Sequence, residues 1–312
     1  MLISDRHAIV GEVGAEHLRF AVSDVDELTI DHLANLRTED FASFQEALSS
    51  YLKSLGPHCP RKASLVVAGY LAGDRVHISG SMRTFEKTAL QSALNLDTLT
   101  IVSDAAAVVK AAPFFASHDL HLITGAPARS GPRLAIVLDS GMRSAITSCD
   151  SDAVGYRETW AGDMTFGAAD EKDLWFVDQV CAAVGRRTAE AVLSTDGFLA
   201  LCKLHSENPE SSSTVTTVEE ALLAAARHSG AAAGLQRYRL WLARFLRDAA
   251  LATGAQGGIY LTGSLPVKLL AHLNDGNFSL AFMAQGPLAV QAPLYILDGM
   301  SVSLKGAAAV YQ

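Results

Sequence analysis

The sequence predicts an α/β protein built as two lobes, and three observations predict it. Its 312 residues exceed what one simple core serves and suit two domains of roughly 100 to 200 residues each. Hydrophobic residues make up 49% of the chain, which is enough for two interiors and too many for a disordered polymer. Strand-like and helix-like patterns are mixed from end to end. Each half opens with a strand–turn–strand unit whose small turn contains glycine, which suggests an internal duplication with a cleft between two lobes.

In the first half, His7 to Val13 reads as a strand, Gly14 to His17 as a tight turn and Leu18 to Ser23 as the returning strand. An amphipathic helix follows, because Phe41, Phe44, Ala47, Leu48, Tyr51, Leu52 and Leu55 recur at helical spacing, and Gly56-Pro57 ends it. Leu65 to Ala68 and Val76 to Ile78 read as strands, Thr84 to Leu94 as a helix, and Leu99 to Ser103 as a strand. That strand feeds a helix from Asp104 to Lys110, so Asp104 stands where a carboxylate caps a helix or faces a cleft.

The second half opens with a strand–turn–strand unit from Arg133 to Cys149, turning at Asp139 to Arg143. Helices dominate afterwards. Thr216 to Glu220 forms a capping-box start. Leu235, Tyr238, Leu242, Phe245, Leu246 and Ala249 form an apolar stripe, with Arg237, Arg244 and Arg247 expected to turn away from it. Ser206 to Thr217 reads as a polar surface loop, Gly258 to Thr262 and Leu294 to Leu297 as late strands, and Val302 to Tyr311 as a closing helix.

Composition narrows the function. A formal charge of −8 and a pI near 5.7 disfavour nucleic acid or an anionic membrane as the main partner. Cys59, Cys149, Cys181 and Cys202 form no CxxC pair, so buried thiols are expected rather than a zinc site or disulfides. The longest uncharged run, Ala249 to Val267, contains Gly254, Gly257, Gly258, Gly263 and Pro266. Those breakers suit a helix end, a loop and a strand rather than a membrane span. The opening MLISDRHAIV is interrupted by an acid, a base and a histidine, unlike a signal peptide, so a cytoplasmic protein is expected.

Seven stretches, read in order, resemble the bacterial glucokinase family along nearly the whole chain. The family's D-x-G-G-T-N turn is replaced by Glu12-Val-Gly-Ala-Glu-His17, and its P-x-x-G-D is echoed by Tyr70-Leu-Ala-Gly-Asp74. Its N-D-F-x-A segment ending in proline is similar to Ser103 through Pro113, and its second phosphate turn, G-T-G-L-G, to Asp139-Ser-Gly-Met-Arg143. E-R-V-L-S-G-x-G is similar to Glu190 through Gly197, G-x-x-G-G-V-F-I-x-G-G to Gly254 through Ser264, and G-L-L-G-A-A to Val302 through Ala308. The cysteine-rich zinc spacing of the related ROK sugar kinases is absent. The resemblance implies an actin-like, ribonuclease-H-like pair of lobes, with residues 1–104 and 301–312 as the small lobe and 105–300 as the large one. It also implies ATP and Mg²⁺, and a small-molecule sugar and nucleotide as partners. No nucleic acid or membrane partner is expected, and a homodimer is the one protein partner considered.

Phosphoryl transfer to a sugar needs a base, donors around the phosphates, a metal ion and a hydrogen-bonding cage. By the resemblance Asp104 is the base, while the cap remains its alternative role. Glu12, Gly14, Ala15, Ser140, Gly141, Gly263 and Ser264 fall at nucleotide-binding positions, with Glu12 at the metal. The first turn departs from the family: Ala15 adds a methyl and Glu16 replaces a threonine. A carboxylate about 5 Å from a phosphate charge costs about 3 kcal/mol at an effective dielectric of about 20, or about a hundredfold in affinity. Sugar-binding positions fall on Ser103, Asp104, Glu190 and Asp163, with Glu158 the alternative for the family's E-G-G-H motif, which aligns with Trp160-Ala-Gly-Asp163. The family's T-N-H-x-W amide is lost in Ser79-Gly-Ser-Met-Arg83. Three readings follow: a hexose kinase of weak or lost glucokinase activity, a non-catalytic ligand-binding relative, and a kinase for an anionic sugar using Arg83, His17 and Arg143.

Overall fold

A computed structural model of the chain describes residues 6–81, 83–147, 155–205, 215–283, 291–299 and 302–312. Met82, Cys149 and most of the expected loop from Ser206 to Thr217 lie outside the described residues. The chain divides into two compact units, one running to Phe115 and resuming at Gly299, the other spanning Ala116–Asp298. The helix that follows Ser103 therefore belongs with the first unit, beyond the boundary of 104 drawn from the sequence.

Strands β1 (His7–Val13), β2 (His17–Asp24), β3 (Thr29–Arg37), β4 (Lys62–Val67), β5 (Gly69–Ala72), β6 (Arg75–Ile78), β7 (Thr84–Glu86) and β8 (Thr98–Ser103) form the first unit. The main sheet has the order β3-β2-β1-β4-β8, with β5-β6-β7 as a small second sheet. β1 to β3 are antiparallel, and β4 and β8 continue parallel to β1. The helix Phe44–Leu55 buries Phe44, Ala47, Leu48 and Tyr51, and Phe20 meets Phe44 and Tyr51 at ring distances of 5.9 and 5.5 Å. Its start is set by Ser43, whose hydroxyl accepts the Glu46 N–H, three residues later than the apolar spacing predicts.

The second unit contributes β9 (Leu120–Thr124), β10 (Leu134–Leu138), β11 (Met142–Thr147), β12 (Tyr156–Thr159), β13 (Ile259–Thr262) and β14 (Leu294–Leu297). Their order is β12-β11-β10-β13-β14-β9. The run β12-β11-β10-β13-β14 repeats the first sheet: three antiparallel strands, then two parallel to the innermost. That repetition is the duplication expected from the two hairpin-led halves. The 25-residue helix Ser229–Thr253 buries Leu235, Tyr238, Trp241, Leu242, Phe245 and Leu246 in this unit's core. Thr217 and Glu220 complete the capping box, each accepting the other's backbone N–H.

Four expectations change. β3 was not foreseen, because its burial alternates weakly along an exposed edge and leaves no apolar period. β9, another edge strand of mixed exposure, was missed for the same reason. The helix expected from Thr84 starts at Lys87, since Thr84–Glu86 pairs with β6. Arg237 and Arg244 do not turn to solvent: both clamp the buried Asp173 of the helix Glu171–Val184, Arg244 at 2.8 Å.

Candidate active site

In the first unit the β1–β2 turn carries Gly14, Ala15 and Glu16. The Gly14 N–H donates to the His17 carbonyl at 3.0 Å. Thr38, just after β3, braces the turn: its N–H donates to the Glu16 carbonyl at 2.8 Å and its hydroxyl to the Gly14 carbonyl at 3.4 Å. Ala15 packs against the first core, whereas Glu16 is exposed, so solvent screening lowers the cost its charge imposes. Glu12 faces Arg19 across the β1–β2 ladder, with Oε2 2.8 Å from Nη2. A carboxylate already neutralised by a guanidinium is a poor direct ligand for Mg²⁺, so assigning the metal to Glu12 does not fit.

β8 delivers Ser103 and Asp104 to the start of the helix Asp104–Ala111. Ser103 is the cap, its hydroxyl accepting the Ala106 N–H at 3.2 Å. Asp104 is the first helical residue, half-buried, and its Oδ1 accepts the Ala105 N–H at 2.8 Å. Ser103 thus supplies the N-cap hydroxyl, and the Asp104 carboxylate satisfies another N–H of the helix's first turn. Gly306, in the helix Val302–Ala308, lets that helix lie against this one: an added Cβ would come within 2.9 Å of the Ala107 carbonyl. Arg83 is spent on the carbonyls of Thr38 and Phe41, at 2.8 and 3.2 Å.

In the second unit, the turn Asp139-Ser-Gly141 joins β10 to β11 and gathers residues from three distant segments. The Asp139 carboxylate accepts the Ser264 N–H at 2.5 Å and the Ser264 hydroxyl at 2.8 Å. The Asp139 carbonyl accepts the Thr195 N–H at 3.0 Å, and its N–H donates to the Gly141 carbonyl at 2.9 Å. Glu190 accepts the Met142 N–H at 2.9 Å and pairs with Arg186 at 2.6 Å. A Cβ on Gly141 would stand 3.2 Å from Glu190 Oε2. Gly263 has φ +113, and a Cβ there would sit 2.3 Å from the Leu138 carbonyl, so only glycine fits. Gly162 brings the turn of Asp163 over Met142 and Glu190, with an added Cβ 3.0 Å from Met142 Cβ. Asp163 itself is exposed, as are Ser140 and Glu158, the latter on β12 opposite Ala145.

The structure therefore brings Gly141, Glu190, Gly263 and Ser264 together, and Ser103 with Asp104. Sequence reading missed Arg19, Arg186 and Thr195. The hairpin register carries the signal for Arg19, and the four-residue helical step to Glu190 carries that for Arg186. Nothing local announces Thr195. Among the described residues no three His, Cys, Asp or Glu side chains cluster to hold a metal ion, and no helix is long and apolar enough to cross a membrane.

Solved structures match this fold over nearly its whole length. A glucokinase from an Antarctic psychrotroph superposes with a TM-score of 0.87 at 22% identity, covering 98% of this chain and 99% of that one. A ROK family glucokinase from Streptomyces griseus, solved with glucose and AMPPNP, gives 0.66 at 16% identity, covering 97% and 98%. The fold is that of the two-lobed, actin-like sugar kinases. The glucokinase of Marinobacter nauticus is 26% identical over 318 residues, 98% of each chain, and that of Hahella chejuensis 26% identical over 312 residues, 97% of this chain and 96% of that one. The Glucokinase family profile matches residues 9–312, and the chain belongs to that family.

Proposed function

We propose that the chain is an ATP-dependent hexose kinase that makes glucose 6-phosphate at low efficiency. The observation that carries this reading is the position of Asp104: it is the first residue of a helix, half-buried at the helix's positive end, with Ser103 supplying the N-cap hydroxyl. As the primary hydroxyl of the sugar attacks the γ-phosphorus, its proton passes to Asp104, the bond to the β-phosphate oxygen breaks, and ADP leaves. The family resemblance supports a sugar-binding role for Ser103 and Asp104 in the first unit, and for Asp163, or alternatively Glu158, in the second. Glu190 supports that side of the site through the Met142 N–H. The turns at Gly14 and Ala15, at Ser140 and Gly141, and at Gly263 and Ser264 approach the nucleotide. Mg²⁺ enters as part of the Mg-ATP substrate and not on Glu12.

Low efficiency is supported by three features. Glu16 stands where the family has threonine, Glu190 is committed to Arg186 and a backbone N–H, and Asp139 occupies the N–H and hydroxyl of Ser264 at the nucleotide-side turn. The anionic-sugar alternative draws nothing from Arg83, whose guanidinium serves two backbone carbonyls. The test is ³¹P NMR of the protein incubated with Mg-ATP and glucose. A slowly growing glucose 6-phosphate signal is expected. ATP and glucose left unchanged at high enzyme concentration would favour a ligand-binding relative without catalysis.

A further inference from the structure

We infer that His205 is a proton-operated latch: neutral, it locks the end of the helix Thr195–Leu204 to two neighbouring helices, and on taking a proton it repels Arg237 and loosens that junction. His205 ends the helix, its N–H donating to the Leu201 carbonyl at 3.3 Å. Its ring is half-buried, and both ring nitrogens are engaged. Nδ1 lies 3.2 Å from the Leu201 carbonyl, and Nε2 lies 3.4 Å from Nε of Arg237, on the long helix Ser229–Thr253. A carbonyl only accepts and a guanidinium only donates, so the ring carries its one proton on Nδ1 and accepts through Nε2. Phe176, on the helix Glu171–Val184, ties the three helices together. The imidazole stacks on its ring at 4.2 Å and 14°, and the Arg237 guanidinium lies 4.2 Å from the same ring centre.

A second proton turns Nε2 into a donor facing another donor and sets two cations side by side. Arg237 cannot step aside without giving up Asp173 and Phe176. The long helix also lies close, since a Cβ on Gly234 would stand 3.3 Å from both Cys202 Cα and His205 Cβ. Among the described residues, the surrounding charges do not compensate the proton. Lys172 adds a further positive charge, and Asp173 is already shared by Arg237 and Arg244. Lys203, on the same helix, is exposed and positive. The helix Val218–Arg227 packs on Thr195–Leu204 as well; its Glu219 pairs with Lys268, its Glu220 serves its own capping box, and Arg227 is another cation. Glu190, on the preceding helix, pairs with Arg186. Burial first, then Arg237 and Lys172, hold the His205 pKa below the ordinary histidine value, outweighing the Leu201 carbonyl. The neutral ring therefore adds stability above the unfolded-chain pKa, and that contribution is lost as pH falls through the folded one. At its other end the helix donates the Thr195 N–H to the Asp139 carbonyl, so the latch holds one support of the Asp139-Ser-Gly141 turn.

Two measurements test the latch. In ring NMR of the histidines, with His205 assigned by its absence from His205→Gln, the neutral ring is expected as the Nδ1–H tautomer, titrating below the ordinary value of about 6.5. Urea denaturation of wild type, His205→Gln and Arg237→Gln near about pH 7.5 and about pH 5.5 reads the linkage to folding. Between those two conditions the wild-type folding constant should fall at least about threefold more than that of His205→Gln, which keeps a polar amide there but does not titrate. Arg237→Gln should shrink that excess, because the repelling charge is gone. Should a variant fail to fold, the wild-type titration decides, with His205 assigned through its backbone. An Nε2–H tautomer, titration at or above the ordinary value, or a parallel loss of stability in wild type and His205→Gln overturns the latch.

Discussion

Replacing Asp104 by Asn leaves the start of its helix intact, because the hydroxyl that accepts the Ala106 N–H belongs to Ser103. The variant should therefore melt close to wild type, within about 0.5 kcal/mol by urea denaturation, so that any change in its activity reports chemistry and not unfolding. Glu190→Gln should behave differently. It breaks the 2.6 Å pair with Arg186 and weakens the acceptor for the Met142 N–H. A stability loss of about 1 kcal/mol is expected in the same denaturation experiment, with the sugar KM raised more than kcat is lowered. The residues legible in the sequence are those whose motif and geometry are local: Asp104 after a strand, and Gly263 before a helix. Asp139 was visible only as a departure from the family's glycine. Its partner lies 125 residues away, and only the pairing of β10 with β13 brings Leu138 and Gly263 together. The pairing of Glu12 with Arg19 was hidden for a related reason, since it is seen only once the register is counted across the turn.

Between elements, two contacts carry testable weight. Asp173 ties the helix Glu171–Val184 to the long helix Ser229–Thr253 through Arg237 and Arg244. Burial alone would raise the Asp173 pKa, but the bonds and charge of Arg244, the indole of Trp241 and the charge of Arg237 together hold it below the usual carboxylate range. A lowered folded-state pKa stabilises the protein above the unfolded value and loses that contribution as pH falls through the folded one. Asp173→Asn should thus cost on the order of 3 kcal/mol near neutral pH, and its stability curve should approach that of wild type as the pH falls from the ordinary carboxylate value through the lower folded-state one. The second contact is Gly306 on Ala107. Gly306→Ala places a Cβ 2.7 Å from Ala107 Cβ and should cost about 1–3 kcal/mol by overpacking. Because the displaced helix carries Asp104, activity should fall with it in a coupled assay. Elements with a clean apolar period were readable, as the helix Phe44–Leu55 shows. Edge strands β3 and β9 were not, because pairing along one edge demands no apolar alternation. The buried arginines escaped notice because a charge on a helix face reads as solvated until its counter-charge on another helix is located.

At the scale of the whole chain, the family match over residues 9–312 and the repeated strand order of the two units were foreshadowed by seven short motifs in the right order and by the two hairpin-led halves. Motif order survives divergence because each segment turns, caps or packs for the fold's sake. Gly263 and Gly306 are kept by geometry whether or not sugar is phosphorylated. For that reason fold and activity must be tested apart. The most direct test is a steady-state coupled assay of glucose phosphorylation by wild type and Asp104→Asn at saturating Mg-ATP. Wild type should turn glucose over with kcat/KM below about 10⁴ M⁻¹s⁻¹, and Asp104→Asn should reduce turnover by about 10² to 10⁴ with little change in KM. Efficient wild-type turnover, or full activity in Asp104→Asn, would contradict the account.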